Sequence, residues 1–476
     1  MKLRKSLLVT MILAMGISVT GCSSGSDSGG SSGGSSGGST SSSGDSSSSS
    51  QQASTSSGSV YFLNFKPEIA QVYEEIAKIY EQETGVKVKV VTAASGEYES
   101  TLRAEITKSA PPTIFQINGP VGYQSWKDYT LDISGTGLYD TLTDKELAVT
   151  DAGGVYGIPY AIEGYGIIYN DAIMQDYFAL PSKTSGISST DEINNFVTLK
   201  EVVEDMQANK DELGIQGVFA STSLAEGDQW RWQTHLLNIP LAYEFDENTA
   251  YESTILAGLA SDTIDFKYAD NFKNIFDLYI NNSATAPTML GSKTTNDSMA
   301  EFALGRVAMV QNGNWAWGQI NDVDGNIVKS DDIKYFPIYT GMAGEENQGL
   351  AIGTENYLAI NSKASVEDQQ LSIDFLEWLF GSTTGKDFVT NELGFIAPFN
   401  TFTDAEKPND PLAKEVLAWM EAGTNSVDWA FASFPSEEYK NQVGGSLLMY
   451  AQGQMSWEQV VEMTKSAWAD EVALKK

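Results

Sequence analysis

Gly157-Ile158-Pro159-Tyr160-Ala161-Ile162-Glu163-Gly164-Tyr165-Gly166-Ile167-Ile168-Tyr169-Asn170 is the stretch from which the fold of this chain is best worked out. It is small, apolar and aromatic, with one carboxylate, Glu163, at its centre. Pro159 has a fixed φ and no N–H, which disfavours an uninterrupted central strand or helix there. Gly164 and Gly166 permit backbone angles or close approaches that a Cβ resists. Ile167-Ile168-Tyr169 then begins a β-prone run that Asn170-Asp171 closes. Two readings fit the stretch. It is either a crossover carrying Glu163 and Tyr165 into the gap between two lobes, or an edge strand of one domain.

On its N-terminal side the chain alternates strand and helix. Val60-Tyr61-Phe62-Leu63 reads as a strand broken by Asn64-Phe65-Lys66-Pro67. Ile69, Val72, Tyr73, Ile76, Ile79 and Tyr80 recur at helical spacing until Thr84-Gly85 stops them. Val86 to Val91 alternates as a strand, and Tyr98 to Ser109 reads as a helix stopped by Pro111-Pro112. Thr113 to Ile117 is a third strand, leaving through Asn118-Gly119-Pro120. This β-α-β-α-β order predicts a mainly parallel sheet in an α/β fold. Ligands of such sheets bind beyond the carboxyl ends of strands. Asn64, Lys66, Glu97 and Asn118 all stand at or just past such ends.

On the C-terminal side a second mixed segment follows. Phe196 to Ala208 reads as helix, Gly217 to Ala220 as strand, and Gln229-Trp230-Arg231-Trp232 opens another helix. Val307 to Val310 is a buried-type strand that exits into Asn312-Gly313-Asn314-Trp315-Ala316-Trp317-Gly318. Phe336-Pro337-Ile338 and Tyr357 to Ile360 frame a Gly-rich loop containing Glu355-Asn356. Ser365 to Phe380 is helical, Gly394 to Phe399 looks like another extended crossover, and three helices finish the chain.

The ends and the bulk composition narrow the function classes. Lys2, Arg4 and Lys5 precede an apolar run, Leu7 to Thr20, that is shorter than the ~20 residues of a membrane span. That run ends at Gly21-Cys22, and Cys22 is the chain's one cysteine. The pattern resembles a bacterial lipobox, so residues 1–21 are expected to be a signal peptide and Cys22 a lipid-modified N-terminus. Residues 22–59 are almost wholly Ser and Gly and are expected to form a flexible tether of about 30–35 Å mean span. The formal net charge of −34 disfavours nucleic acid and anionic headgroups, and points to neutral or cationic ligands.

Enzymatic motifs are scarce. With no further cysteine and a single histidine, His235, common zinc sites and Ser/His or Cys/His nucleophiles are not available. No GxxxxGK[ST] loop occurs. Asp322-Val323-Asp324-Gly325-Asn326 has its glycine too early for an EF-hand and reads as a turn. Neither cofactor nor metal is expected. A glycoside hydrolase needs only two carboxylates, which so acidic a chain supplies, and that alternative stays open.

Several of these segments together resemble the family 1 extracellular solute-binding proteins of carbohydrate ABC importers, the branch that includes maltose-binding protein. The marks are Glu83-Thr84-Gly85-Val86-Lys87-Val88, the Gly-Ile-Pro-Tyr…Glu163…Ile-Ile-Tyr-Asn stretch, and Asn312-Gly313-x-Trp315-Ala316-Trp317. The resemblance implies a two-lobed periplasmic-binding-protein-like fold with a hinged ligand cleft. The first lobe would comprise residues 60–161 and 339–392, the second 162–338 and 393–476. By the same resemblance Glu163 would accept sugar hydroxyls and Trp315 would stack on a pyranose, with Trp230 a second aromatic contact. Asn64, Lys66, Glu97, Asn118, Tyr165, Glu355 and Asn356 complete the expected site. Carboxylates and amides suit hydroxyl edges, and aromatic rings suit C–H faces. Asn118-Gly119 and Glu355-Asn356 depart from maltose-binding protein, so the sugar need not be maltose. The expected protein is a monomeric surface lipoprotein on the outer face of the cell membrane. It would bind a mono- or oligosaccharide and deliver it to ABC permease subunits without altering it. A polyamine or other organic cation is the alternative ligand.

Overall fold

The Gly157–Asn170 stretch divides between two sheets in the computed structural model, which describes residues 58–94 and 96–475. The expected signal peptide, Cys22 and all but the last two tether residues lie outside the described residues. The described chain enters the body with Ser59 N–H donating to Asp368 Oδ1 at 2.8 Å.

The first sheet has the order β2-β1-β3-β11-β5-β4. β1 (Val60–Asn64), β2 (Val88–Thr92) and β3 (Ile114–Asn118) pair in parallel, with Val60 opposite Val88 and Phe62 opposite Ile114. β1 is buried along its length, as a strand covered on both faces must be. The helix Ala70–Thr84 buries Tyr73, Ile76, Ala77 and Tyr80, and ends where Gly85 takes φ 77°. The second helix stops at Glu105, not Ser109, because Ile106 to Ser109 turn out ahead of two prolines. β4 (Val149–Asp151) and β5 (Gly154–Pro159) form a hairpin. Its turn places Ala152 and Gly153 at φ 48° and 87°.

Tyr160-Ala161-Ile162 carries the chain across, and β6 (Glu163–Asn170) is a fully buried central strand of the second sheet. That sheet runs β12-β10-β6-β8-β7, with β9 also paired to β6. The remaining strands are β7 (Gly217–Phe219), β8 (Val307–Gly313), β9 (Ile333–Phe336), β10 (Gln348–Gly353), β11 (Asn356–Ile360) and β12 (Asn425–Val427).

Three expectations need correction. Both sheets are mixed, not mainly parallel: β11 arrives from the second sheet and so runs against both β3 and β5. The Gly-rich loop before Tyr357 contains β10, which pairs with β6 and β12. Its glycines are sites of close approach, since a Cβ on Gly353 would fall 2.6 Å from Trp429 Cγ. The return passage is therefore Thr354-Glu355, later than residue 339. Likewise Leu393, Phe395 and Phe399 still pack in the first core with Ile158, Tyr160 and Phe380, so the last passage falls after residue 392. There Ile162 N–H donates to Ile396 O at 2.8 Å, tying two passages together.

Each sheet carries its own core. Phe62, Ile114, Leu358, Phe375 and Leu379 pack on one face of the first sheet, and Leu63, Phe115, Ile117 and Trp126 on the other. The second sheet packs Ile167, Phe219, Trp232, Phe276 and Trp468 on one side and Ile168, Phe302, Val310 and Val416 on the other. Each such side chain contributes about 1.5–3 kcal/mol by leaving water. With two separate cores, the three passages between them are what set the geometry of the junction.

Candidate ligand-binding site

The passages bring strand exits of both sheets to one place. Glu163 opens β6 opposite Gly353, Glu355 lies between β10 and β11, and Asn356 stands opposite Asn118 on β3. Lys66, just past the end of β1, puts Nζ 2.7 Å from Glu163 Oε1 and 3.8 Å from Glu68 Oε1. The same ammonium lies 5.4 Å from the centroid of the Trp315 ring.

An aromatic cluster fills the junction from the second sheet. Trp315 sits in the turn after β8 and folds back over Gly313, where there is no room for a Cβ. Its ring centroid lies 6.0 Å from Trp230, 5.3 Å from His235 and 6.4 Å from Trp429. Trp230 precedes a π-helical turn, Arg231–Leu236, that runs into a helix containing Pro240. A proline supplies no N–H to the turn before it, and there Tyr165 OH donates to His235 O at 3.0 Å. Trp232, two residues on, packs instead on Phe276 and Tyr279. Trp317 is likewise partly buried in a core.

Around these rings, buried polar atoms lack partners. Asn118 Oδ1, Asn356 Nδ2, Trp315 Nε1 and Trp429 Nε1 make no hydrogen bond, and neither do Arg231 Nε and Nη2. Asn118 Nδ2 donates to Glu355 Oε1 at 3.3 Å. A buried donor or acceptor left unpaired costs about 1–3 kcal/mol. Donors and acceptors left free beside aromatic rings are what a site for a polar ligand requires.

Of the residues expected from the sequence, Lys66, Asn118, Glu163, Trp230, Trp315, Glu355 and Asn356 come together here. Three do not present free groups to it. Asn64 is fully buried, and its amide holds the strand exit: Nδ2 donates to Lys66 O and Thr92 Oγ1, and Oδ1 accepts from Lys66 N. Glu97 is exposed ahead of the helix Tyr98–Glu105 and accepts from Ser100 Oγ at 2.7 Å, over its own first turn. Tyr165 is buried, with its ring 4.5 Å from His235 and its hydroxyl spent on the His235 carbonyl. It forms the floor beneath the rings.

Four participants escaped the sequence reading. Trp429 follows β12 just as Trp315 follows β8, a signal that could have been used. Arg231 and His235 were legible only as parts of a Trp-rich helix. Lys440 gave no signal, because a lysine on an amphipathic helix ordinarily faces solvent. Here it is buried, with Nζ 2.7 Å from Glu437 Oε1.

Burial sets the protonation states. It pushes the Glu355 carboxyl up to about 7, with Lys440 and Lys66 opposing and Glu437 and Glu163 reinforcing. It would lower the Lys66 ammonium, but Glu163, Glu68 and Glu355 outweigh it and the pKa is raised. Lys440 is raised in the same way by Glu437 and Glu355 against burial. His235 is driven well below its usual range by burial and by Arg231, Lys440 and Lys66, so it stays neutral. Among the described residues no group of three or more His, Cys, Asp or Glu side chains converges as a metal site needs.

The family model for bacterial extracellular solute-binding proteins matches residues 75–416. The chain belongs to this family. No curated protein sequence matches it, whereas solved structures do. A chitin oligosaccharide binding protein superposes with TM-score 0.68 at 19% identity, over 87% of this chain and 99% of the other. The solute-binding protein RafE in complex with raffinose gives 0.66 at 16% identity, over 87% and 99%. The maltose/maltodextrin-binding domain MalE of Bdellovibrio bacteriovorus, bound to maltotriose, gives 0.61 at 16%, over 87% and 99%. These likenesses establish the two-lobed fold for this solute-binding protein. Among its described residues no helix is long and apolar enough to cross a membrane.

Proposed function

We propose that this solute-binding protein captures a mono- or oligosaccharide in the junction between its two lobes and delivers it, chemically unchanged, to the permease subunits of an ABC importer. The observation that carries this is the pairing of an aromatic cluster (Trp230, Trp315, Trp429) with unpartnered amide and indole groups at Asn118, Asn356, Trp315 and Trp429. Rings cover sugar C–H faces, and the free polar atoms meet hydroxyls. The solved neighbours named for chitin oligosaccharide, raffinose and maltotriose are consistent with this class of ligand. The lobes comprise approximately residues 60–161 and 354–402, and 162–353 and 403–476. They close over the ligand by a hinge in the three passages. Cys22 and the tether hold the monomer at the outer face of the membrane.

A polyamine reading loses ground at Glu163 and near Glu437, where Lys66 and Lys440 already occupy the cation positions. A hydrolase reading would pair Glu355, protonatable near neutral pH, with Glu163, but Lys66 holds Glu163. The test is a thermal-shift screen of the chain from Ser23 onward against saccharides and polyamines, with an assay for reducing ends. A ligand that binds only the folded protein raises its melting temperature. A saturable rise with a sugar class and no reducing ends supports the proposal. A rise with polyamines alone, or release of reducing ends, overturns it.

A further inference from the structure

The described Lys and Arg side chains that are buried are Lys66, Arg231 and Lys440. All three lie close enough to His235 for their charges to depress its pKa. In a chain of net charge −34, the cations withdrawn from solvent are thus gathered at the ligand site. Lys66 and Lys440 each hold a carboxylate at 2.7 Å. Arg231 differs. Its side chain is 2% exposed, it joins no ion pair among the described residues, and its guanidinium lies 3.9 Å over the Trp230 ring. Nη1 donates to Thr295 Oγ1, while Nε and Nη2 have no partner.

Those two nitrogens form one side edge of the guanidinium, the edge that grips a carboxylate through two parallel N–H···O bonds. Leaving a buried cation uncompensated is strongly unfavourable. Asp228 and Glu68 are the carboxylates whose charge it feels, and burial nonetheless pulls its pKa down to about 9. Neither carboxylate bonds to the Nε and Nη2 edge, which stands beside the ring of Trp230.

We propose that the ligand is an acidic saccharide whose uronate carboxylate is received by the Nε and Nη2 edge of Arg231 beside Trp230. This rests on the carbohydrate reading above and narrows it. It departs from the expectation drawn from net charge, which pointed to neutral or cationic ligands, because the recognition is local: Lys66 and Lys440 are held by carboxylates, and one edge of Arg231 is not.

The test is calorimetric titration of the chain from Ser23 onward with galacturonate, glucuronate and mannuronate oligomers, with their methyl esters, and with neutral oligosaccharides. Each ester keeps the rings and hydroxyls and removes the charge. The expected result is that an acid binds and its ester binds about thirtyfold or more weakly, the cost of an unpaired buried charge. Arg231→Gln should abolish this preference, and Arg231→Lys should keep part of it. The unliganded melting temperature of each variant shows whether it folds, and the acid–ester comparison on the unaltered protein does not depend on either. Equal binding of acid and ester, or tight binding of a neutral sugar alone, overturns the acidic-ligand proposal and leaves the carbohydrate reading standing. Binding of no saccharide at all overturns both.

Discussion

Lys66 Nζ and Glu163 Oε1 stand 2.7 Å apart, both side chains almost wholly buried, and join the exit of β1 to the first residue of β6. The bond thus links the two sheets directly, beside the passage at Tyr160-Ala161-Ile162. Lys66→Met leaves Glu163 as a buried charge without its partner and should cost about 3–5 kcal/mol of stability. The double variant Lys66→Met/Glu163→Met should recover most of that loss. Urea unfolding of the four proteins measures the coupling, and additive losses would show that the pair does not act as a unit.

Trp315→Ala should weaken ligand binding by about 2 kcal/mol or more, as expected for a central aromatic anchor. Because the ring is only partly buried, the unliganded protein should still melt cooperatively. Titration calorimetry and a melting curve separate the two effects. Gly313→Ala should mimic it, since a Cβ there occupies the space of the Trp315 ring.

Glu97→Ala should leave ligand affinity unchanged to within about 0.5 kcal/mol, since the carboxylate is exposed and turned onto Ser100. A larger loss would place Glu97 in the site after all.

Acidification should stabilise the protein through Glu355. Burial raises its carboxyl from 4.5 to about 7, and a carboxylate raised on folding costs stability once it ionises. Stability from this group is therefore full below about 4.5 and lost as pH rises through about 7. Asp410, raised from 3.8 to about 7 by burial, adds in the same window. The melting temperature should fall between about pH 5 and 7.5, and Glu355→Gln should flatten part of that slope. An acidic ligand would raise the Glu355 pKa further, so its affinity should strengthen toward acid pH.

Much of this was legible in the residues. The apolar run Val60 to Leu63, the helical spacing from Ile69 to Tyr80 and the stop at Gly85 set out the first β-α-β unit, because local propensity and burial agree there. Pro159, followed by the turn into Glu163, marked the first passage for a similar reason. β10 was hidden because Gly349 and Gly353 read as loop, and only the nearby Thr424 and Trp429 explain why strand residues must lack side chains. Asn64 and Tyr165 stood where a ligand contact was expected, but their polar groups are consumed by the chain itself. Arg231 and Lys440 were out of reach. A buried cation is recognised by its surroundings, and those are assembled from segments far apart in sequence.

The central claim is that the junction ringed by Trp230, Trp315 and Trp429 binds a saccharide. Its most direct test is a fluorescence titration of the indoles with a panel of neutral and acidic oligosaccharides. The account predicts a saturable change with one saccharide class, shifted to about thirtyfold or more higher concentration by Trp315→Ala. A response to polyamines alone, or a saccharide response that survives Trp315→Ala unchanged, would contradict it.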